Sequence, residues 1–514
     1  MTRPFGFVSS FFALALSVSI SAPGLTLRTD NNSTGPRTPS PADSKLLFVV
    51  ALFRHGVRSP EPSFDQKDAD QSSRDKWPAL ADWGVMKPTG ECDPGNGWGY
   101  LTAHGEALAR GLGNYYGRYY QQNGLSKGFS VYLWADAANQ RTRATAYALA
   151  AGFRNVGNQN VTVASLPACA VDPLFHPFQA GCGTPDAVKL KAFAGEINSG
   201  WLKWVESTYS SEFRELYLLL NCFDQQDCAK PLGLIVDQAS SCASYSANCK
   251  SPILWKGQFS YASSASEAFL LEYANRMTFG WGRIDPPTVP RGTKISDMLR
   301  LHEFYFDKTD RYVREGKGTD DYLASIEGSN LIREIRDQIN RKVGLQPDGN
   351  CPRATSKSDF VGFVGHDTNL ATVQALLGLK WQFDDKDLPA DTFGLPANDA
   401  LPAGALVFEL RQRTDGAYFV RVEYATQSLS AMRTGATARA FRIPVEGPAC
   451  LGRRPCEIPL NDFQQLIKSR LGNGQFLSHC DRETPPQQIC AITPSRTRKR
   501  GTARADQAKG TQQP

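Results

Sequence analysis

The chain has 514 residues, 41% of them hydrophobic and 21% charged, which is typical of a folded globular protein and excludes a disordered or collagen-like one. The length suits a large domain with a second, smaller one. Most of the formal net charge of +6 lies in residues 493–514, where six cationic side chains stand against one aspartate. The remaining chain is close to neutral, so no basic face for nucleic acid is predicted.

The N-terminal segment has the pattern of a secretory signal peptide. Arg3 supplies a positive charge, the apolar run VSSFFALALSVSI follows, and small residues before Pro23 offer a cleavage site. We predict a signal peptide over 1–22, a linker rich in Pro, Ser and Thr over 23–44, and a periplasmic or secreted protein. The apolar run is too short for a stable membrane span. The basic residues 493–514 are predicted to form a disordered tail.

Twelve cysteines, an even number, agree with export, because disulfides persist in oxidising compartments. The chain has no CxxC pair, which argues against a zinc ribbon or thioredoxin-type chemistry. We expect short disulfide loops where two cysteines lie close in the sequence. These pairs are Cys169/Cys182, Cys222/Cys228, Cys242/Cys249 and Cys450/Cys456. Spacing alone leaves the connectivity of the full set open.

Strand and helix patterns alternate in the first third of the chain. The apolar run KLLFVVALF, which begins at Lys45, predicts a buried strand, and residues 129–135 predict another. Helical spacing covers 102–120 and 139–153. The tyrosines near residue 116 fit a helix face that packs in the core.

The later part of the chain first turns helical and then returns to strands. Residues 360–365 predict a strand, and GALVFELRQR and AYFVRVEYA predict a hairpin that turns at 414–416. We predict an α/β fold with a central mixed, largely parallel sheet flanked by helices. Its two parts are 45–165 and 346–492, and a smaller, mainly α-helical domain over 166–345 is inserted between them.

The segment RHGVRSP at residues 54–60 is the strongest functional signal. It places Arg54, His55 and Arg58 directly after a buried strand, where open α/β sheets bind ligands. Clustered cations favour an anion, and arginine forks match phosphate oxygens. A neutral imidazole among them can attack phosphorus while the guanidiniums offset the oxygen charge. His55 is therefore the predicted nucleophile.

A second motif, GHDTN at residues 365–369, follows the apolar run FVGFV. His366 can donate a hydrogen bond to a phosphate oxygen, and Asp367 can protonate a leaving alkoxide. A His-Asp pair alone is a weak signal, because an aspartate here is also typical of a helix N-terminus.

The two motifs together resemble those of the histidine acid phosphatases, and the resemblance covers roughly residues 45–490. Further segments are similar to the bacterial periplasmic phytase and glucose-1-phosphatase branch. They are DPLF at 172–175, GWGR at 280–283, GHDTNLA at 365–371, and PAG at 402–404 with the strand that follows it.

The resemblance implies a covalent phosphohistidine route. His55 would be the nucleophile, and Asp367 would first be the acid and then the base. Arg54, Arg58 and a third arginine would hold phosphate with His366. Arg143 is the expected third arginine, with Arg141 as the alternative. No metal or other cofactor is expected, since the chain has no HExxH motif and no carboxylate and histidine cluster of metal spacing. Because Asp367 must be protonated to donate, an acid optimum is expected.

The substrate is less sharply indicated, although the expected partners are small phosphorylated molecules. Phytases of this branch commonly carry Thr-Lys where this chain has Glu61 and Pro62, and an acidic residue there disfavours a densely charged inositol polyphosphate. Thr368 and Asn369, in contrast, match the phytase form of the second motif. A phytase-like or broad-specificity phosphatase is expected, with a sugar-phosphate phosphatase as the alternative. Glu61, Thr368 and Asn369 are candidate substrate-pocket residues.

His302 matches a histidine of the same branch, so it is either a pocket residue or a structural one. Three other functions stay open. They are a mutase or phosphatase of the smaller histidine phosphatase branch, a non-catalytic phosphate-binding protein, and a surface attachment protein that acts through the basic tail. Arg58, the late His-Asp pair and the helical insert argue against the first. The sequence does not indicate an oligomeric state.

Overall fold

The computed structural model describes 44–61, 80–85, 97–158, 160–180, 188, 204, 207–219, 258–278, 280, 302, 322–346, 358–381, 399–435, 440–450, 452 and 455–471. The predicted signal peptide, nearly all of the predicted linker and the basic tail lie outside these residues. So do five of the eight cysteines in the predicted short loops.

Eight strands form one mixed sheet. They are β1 (Ser44–Arg54), β2 (Val131–Ala135), β3 (Val161–Ala164), β4 (Phe360–Gly365), β5 (Ala405–Arg413), β6 (Tyr418–Thr426), β7 (Phe441–Pro444) and β8 (Cys456–Pro459). The order is β3-β2-β4-β1-β5-β6-β7, and β8 also pairs with β6. The β3–β2, β2–β4 and β4–β1 pairs are parallel. The β1–β5, β5–β6, β6–β7 and β6–β8 pairs are antiparallel. The predicted mixed α/β fold is confirmed.

Helices cover the sheet. They are α1 (Ala103–Gln122), α2 (Gln140–Asn155), α3 (Ser210–Leu219), α4 (Gln258–Ala274), α5 (Tyr322–Lys342), α6 (Asp367–Leu377), α7 (Leu429–Thr434) and α8 (Leu460–Arg470). α3, α4 and α5 fall in the segment predicted to be a separate helical domain, and that division stays a prediction. None of the helices in the described part of the chain is long and apolar enough to cross a bilayer.

Strand β1 is buried on both faces because its side chains alternate between two hydrophobic cores. Val49, Ala51 and Phe53 pack in one core with side chains of α1 and α2. Phe48, Val50 and Leu52 pack in the other with side chains of α5, α6 and α8. Because both faces of β1 are buried, KLLFVVALF is a continuous apolar run in which polar residues do not alternate with apolar ones.

The tyrosines of α1 take part in the first core. Tyr116 and Tyr120 are fully buried, and both pack against the ring of Phe360. The core position predicted for this helix face is confirmed.

The antiparallel half matches the sequence prediction closely. β5 and β6 form the predicted hairpin, in which Asp415 Oδ1 accepts a hydrogen bond from the Ala417 amide and Gly416 has a φ of 89°. A disulfide joins Cys450 and Cys456 just before β8, as predicted. Cys169 is also disulfide-bonded, and its predicted partner Cys182 lies outside the described residues.

Candidate active site

The candidate site lies at the carboxyl ends of three neighbouring strands. β2, β4 and β1 are parallel and adjacent, with Arg54 in register with Gly365, and Ala135 with Val364. The next residue of each strand is therefore brought to one edge of the sheet. These residues are His55, His366 and Asp136, and the rings of His55 and His366 lie 5.5 Å apart between centroids.

Backbone hydrogen bonds on both sides hold His55. Its amide donates to the Gly365 carbonyl at 2.9 Å, and its carbonyl accepts from the Ala403 amide at 2.8 Å. Ala403 has a φ of 57°, a left-handed conformation that costs a non-glycine residue energy and that the surrounding fold must maintain. The PAG segment noted in the sequence thus fixes the backbone of the predicted nucleophile.

Helix α1 approaches the loop after His55 closely. A Cβ atom on Gly105 would come within 2.2 Å of the Val57 carbonyl oxygen, so only glycine allows this packing. Thr102, at the start of the same helix, accepts from the Gly105 amide through its hydroxyl and donates its own amide proton to the Val57 carbonyl. The loop between His55 and Arg58 is therefore held in place by a helix N-terminus.

The His55 ring has a defined tautomer. Nδ1 lies 2.9 Å from the Gly56 carbonyl oxygen, and because a carbonyl only accepts, Nδ1 carries the proton. Nε2 then holds the lone pair. Burial lowers the pKa of His55 well below its usual value, and the charges of Arg141, Arg54 and Arg58 lower it further. The imidazole thus stays neutral and nucleophilic in mildly acidic solution.

Arg54 is fully buried and joins three other residues. Nη1 donates to the Ala400 carbonyl at 2.6 Å, and Nη2 contacts both Glu267 and Asp367, the latter at 2.9 Å. Burial alone would lower the pKa of Arg54, but the nearby carboxylates raise it overall. Glu267 comes from α4 and also lies 3.6 Å from Arg58 Nη2.

Glu61 lies between two arginines. Its Oε1 accepts from Arg141 Nη2 at 2.6 Å and is 3.8 Å from Arg58 Nη2. Burial lowers the pKa of Arg141, an effect that Glu61 opposes. Three arginines, 54, 58 and 141, thus meet three carboxylates, 61, 267 and 367, beside His55.

Arg143 points to a different neighbourhood. Its Nη1 donates to the Ala137 carbonyl, and burial lowers the pKa of Arg143, an effect that the largely exposed Tyr147 opposes. Arg141 and Arg143 are two residues apart at the start of α2, which separates them by about 200° around the helix axis. Only one of them can face His55, and the structure places Arg141 there.

His302 is buried behind Glu267. Its Nε2 lies 2.5 Å from Glu267 Oε2, and its Nδ1 lies 2.7 Å from Asp399 Oδ2, so both ring nitrogens donate to carboxylates. Burial alone would lower the pKa of His302, but the two carboxylates raise it to about 10. Arg54 and His302 in turn hold the pKa of Glu267 well below its usual value. His302 is fully buried and is linked to Arg54 through Glu267.

Asp136 is shared by two histidines. Its Oδ2 accepts from His366 Nε2 at 2.8 Å and from His176 Nε2 at 2.9 Å. Burial alone would raise the pKa of Asp136, but the two imidazoles hold it well below its usual value. The three ligand atoms lie within 4.8 Å of one another, the arrangement of a possible metal site among the described residues.

The two residues after the His-Asp pair differ in exposure. Thr368 is exposed, and its amide donates to Asp367 Oδ1 at 2.7 Å. Asn369 is buried, accepting from the His366 amide through Oδ1 and donating to the Phe175 carbonyl through Nδ2. The Asn369 side chain therefore fixes the backbone of the motif.

Sequence reasoning did not find four of these residues. Asp136, His176, Glu267 and Asp399 are reached from separate segments, and none belongs to a motif with a fixed spacing to RHGVRSP. Asp136 does follow an apolar strand, the same signal that singled out His55. Glu267 has no comparable signal, because a glutamate within a helix is usually solvated.

Comparisons with known proteins agree with this geometry. Residues 45–425 match the histidine phosphatase superfamily (branch 2). Phytase AppA of Escherichia coli (strain K12) is 28% identical over 420 residues, 77% of this chain and 86% of that protein. Glucose-1-phosphatase of Providencia rettgeri is 25% identical over 462 residues, 84% of this chain and 94% of that protein.

Solved structures show the same fold. The phytase of Hafnia alvei in complex with myo-inositol hexakis sulphate has a TM-score of 0.62 at 26% identity, covering 85% of this chain and 99% of that one. The phytase of Citrobacter braakii has a TM-score of 0.60 at 26% identity, covering 83% and 98%. The chain therefore belongs to the histidine phosphatase superfamily, branch 2, and is a phosphatase of that family.

Proposed function

We propose that the protein hydrolyses phosphate monoesters through a phosphohistidine formed on His55. The observation that carries the proposal is the state of this ring. Nδ1 donates to the Gly56 carbonyl, so the Nε2 lone pair is available, and three arginines surround it. Such a neutral imidazole can attack a phosphorus atom whose oxygens the guanidiniums stabilise.

The reaction has two steps. In the first, His55 Nε2 forms a bond to phosphorus, the bond from phosphorus to the ester oxygen breaks, and Asp367 transfers a proton to that oxygen. In the second, water attacks phosphorus and gives a proton to Asp367, the bond between phosphorus and His55 Nε2 breaks, and inorganic phosphate leaves. Asp367 is placed for both steps because its carboxyl group lies among the proposed phosphate-binding residues, 2.9 Å from Arg54 Nη2.

We assign the phosphate-binding groups to Arg54, Arg58, Arg141 and His366. Arg141 replaces Arg143 in this set because its guanidinium contacts Glu61 and lowers the pKa of His55. His366 Nε2 carries the proton that Asp136 accepts in the structure, and the same N–H is the proposed donor to a phosphate oxygen when substrate binds. Glu267, held by His302, positions Arg54 and Arg58.

Phytate is the proposed substrate class, together with simpler monoesters, since both phytase relatives and the HDTN form of the motif point to it. A sugar phosphate is the second candidate, because Glu61 places a negative charge between Arg58 and Arg141. Such a charge disfavours a substrate with many phosphates more strongly than one with a single phosphate.

The test measures phosphate release at acidic pH from phytate, glucose 1-phosphate and an aryl phosphate, with a chelator present. The His55→Ala variant is assayed beside the wild-type protein. Loss of all three activities in the variant supports the mechanism, whereas retained activity would refute it. The ratio of the three kcat/KM values decides the substrate class.

We also propose that the protein is exported to the periplasm or secreted. The signal-peptide pattern and the disulfide between Cys450 and Cys456 support this location. N-terminal sequencing of the mature protein from the extracytoplasmic fraction should start near residue 23, and a cytoplasmic protein that retains Met1 would contradict export.

A further inference from the structure

In the cluster of Asp136, His176 and His366, only His366 belongs to the proposed phosphate-binding groups, and His176 has no part in the proposed reaction. Each residue comes from a different segment: the end of β2, the loop after β3, and the end of β4. Two imidazole nitrogens and one carboxylate oxygen converge there within 4.8 Å. Two nitrogens and one oxygen are a ligand set that zinc accepts in open sites that keep a fourth position for water or substrate.

The distances are close to those of a coordinated metal. With metal-ligand bonds of about 2.0–2.1 Å, tetrahedral ligand atoms lie about 3.3 Å apart. Both imidazole nitrogens lie 2.8–2.9 Å from the same oxygen of Asp136. Coordination would therefore lengthen these two nitrogen–oxygen contacts by about half an ångström.

The backbone around the cluster is fixed, which favours a defined site over a chance approach of side chains. Asp172 accepts from Trp134 Nε1 at 2.7 Å and from the Leu174 amide, and its carbonyl accepts from the His176 amide. Asn369 ties the same loop to the His366 backbone through the Phe175 carbonyl. His176 thus directly follows a loop segment that these hydrogen bonds hold in place.

An ion also has a route to the cluster. Asp136 is fully buried, but the His176 side chain is 21% exposed. Hydrated ions can therefore reach the site from the His176 side.

We propose that Asp136, His176 and His366 form an accessory site for a divalent transition metal such as Zn²⁺, which inhibits the phosphatase when bound. Two nitrogen donors select zinc or copper over magnesium or calcium, which prefer oxygen ligands. The metal is not a cofactor of the reaction. It inhibits because it occupies Nε2 of His366, a proposed phosphate-binding residue whose ring lies 5.5 Å from that of His55 between centroids.

Metal binding is tested first without reference to activity. The full protein is freed of metal with a chelator, and Zn²⁺ is then titrated by calorimetry near neutral pH, with Mg²⁺ as the control ion. We expect one Zn²⁺ per chain for the wild-type protein and an affinity at least about tenfold lower for His176→Asn. Co²⁺ should give the visible absorption of a four- or five-coordinate site in the wild-type protein and not in His176→Asn.

His104→Asn is the matched control, because His104 is a partly buried histidine that bonds to the Met432 carbonyl away from the cluster. It should bind Zn²⁺ like the wild-type protein. A second substitution, His176→Gln, and thermal unfolding curves show whether any loss of binding reflects misfolding. Equal Zn²⁺ affinity in the wild-type protein and folded His176 variants, or no binding by the wild-type protein, would overturn the site.

The inhibition itself rests on the proposed function and is tested separately. Hydrolysis of an aryl phosphate is followed at micromolar Zn²⁺, each variant being compared with its own metal-free rate. The wild-type protein and His104→Asn should be inhibited and His176→Asn should not. If the metal-free wild-type protein releases no phosphate, the proposed function fails. The calorimetric titration then still tests whether the metal site exists. Equal inhibition of all three proteins would overturn the inhibitory role.

Discussion

The two sides of His55 hold their charges in different ways. On the arginine side, guanidiniums 54, 58 and 141 face carboxylates 61, 267 and 367. On the histidine side, His176 and His366 share the single carboxylate of Asp136. Guanidiniums stay charged at any pH at which a protein is folded, whereas imidazoles do not.

The pKa values of the two imidazoles on the histidine side shift in opposite directions. Burial opposes the charged form of both rings, but Asp136 raises the pKa of His176, and the pKa of His366 is lowered by burial and by the charge of Arg141. One carboxylate therefore supports a more basic and a less basic imidazole. The arginine side thus supplies a constant attraction for an anion, while the affinity of the histidine side for an anion depends on protons or metal.

The largest expected effect comes from the arginine side. Arg141→Ala should lower kcat/KM for an aryl phosphate by about 100-fold, because a guanidinium that stabilises the transferring phosphoryl group is lost. Arg143→Ala, its matched control two residues away, should change kcat/KM by less than about threefold. Steady-state kinetics compare the two variants. A larger loss of kcat/KM in Arg143→Ala than in Arg141→Ala would identify Arg143 as the phosphate ligand.

A smaller loss is expected when the histidine side is altered. In Asp136→Asn the amide oxygen can still accept a hydrogen bond from an imidazole, but the amide nitrogen cannot accept one. His366 is therefore held less firmly in its orientation. We expect kcat/KM to fall about 10-fold to 100-fold, as is usual when a group that orients a functional histidine is removed. Unchanged kinetics in a folded variant would show that Asp136 has no such role.

Glu61→Gln should improve the binding of anions. The substitution removes the negative charge between Arg58 and Arg141 and keeps the side-chain size. We expect KM for phytate to fall by several-fold and KM for an aryl phosphate to fall less, since charge repulsion grows with the number of phosphates. Comparison of the two KM ratios at low ionic strength checks this, and equal ratios would argue against Glu61 as a substrate filter.

The smallest effect concerns pH. Because burial and three arginines lower the pKa of His55, its neutral form persists as the pH falls below the usual imidazole value of 6.5. The acid limb of the kcat/KM profile that reports His55 should therefore lie well below pH 6.5. Arg141→Ala removes one of these charges, so the limb should move to higher pH by about one unit or less. If the acid limb moves to lower pH in this variant, or does not move, it does not report the titration of His55.

Much of the fold followed from simple patterns. β1, β4 and the hairpin of β5 and β6 were predicted because apolar runs and turn residues mark them locally. The choice between Arg141 and Arg143 was not predictable, because the sequence does not reveal the rotational phase of a helix relative to its site. Asp136 and Glu267 were missed because their partners are distant in the chain and come close only through the sheet order.

Strand β1 has a consequence for how the protein is made. It is the first strand synthesised, yet its neighbours β4 and β5 come more than about 300 residues later, so it cannot complete its pairing until most of the chain is present. Until then KLLFVVALF is a long apolar β-segment with open edges, which favours aggregation. We expect the newly synthesised chain to depend on chaperones, and phosphatase activity to appear only after β4 and β5 have been synthesised and paired with β1.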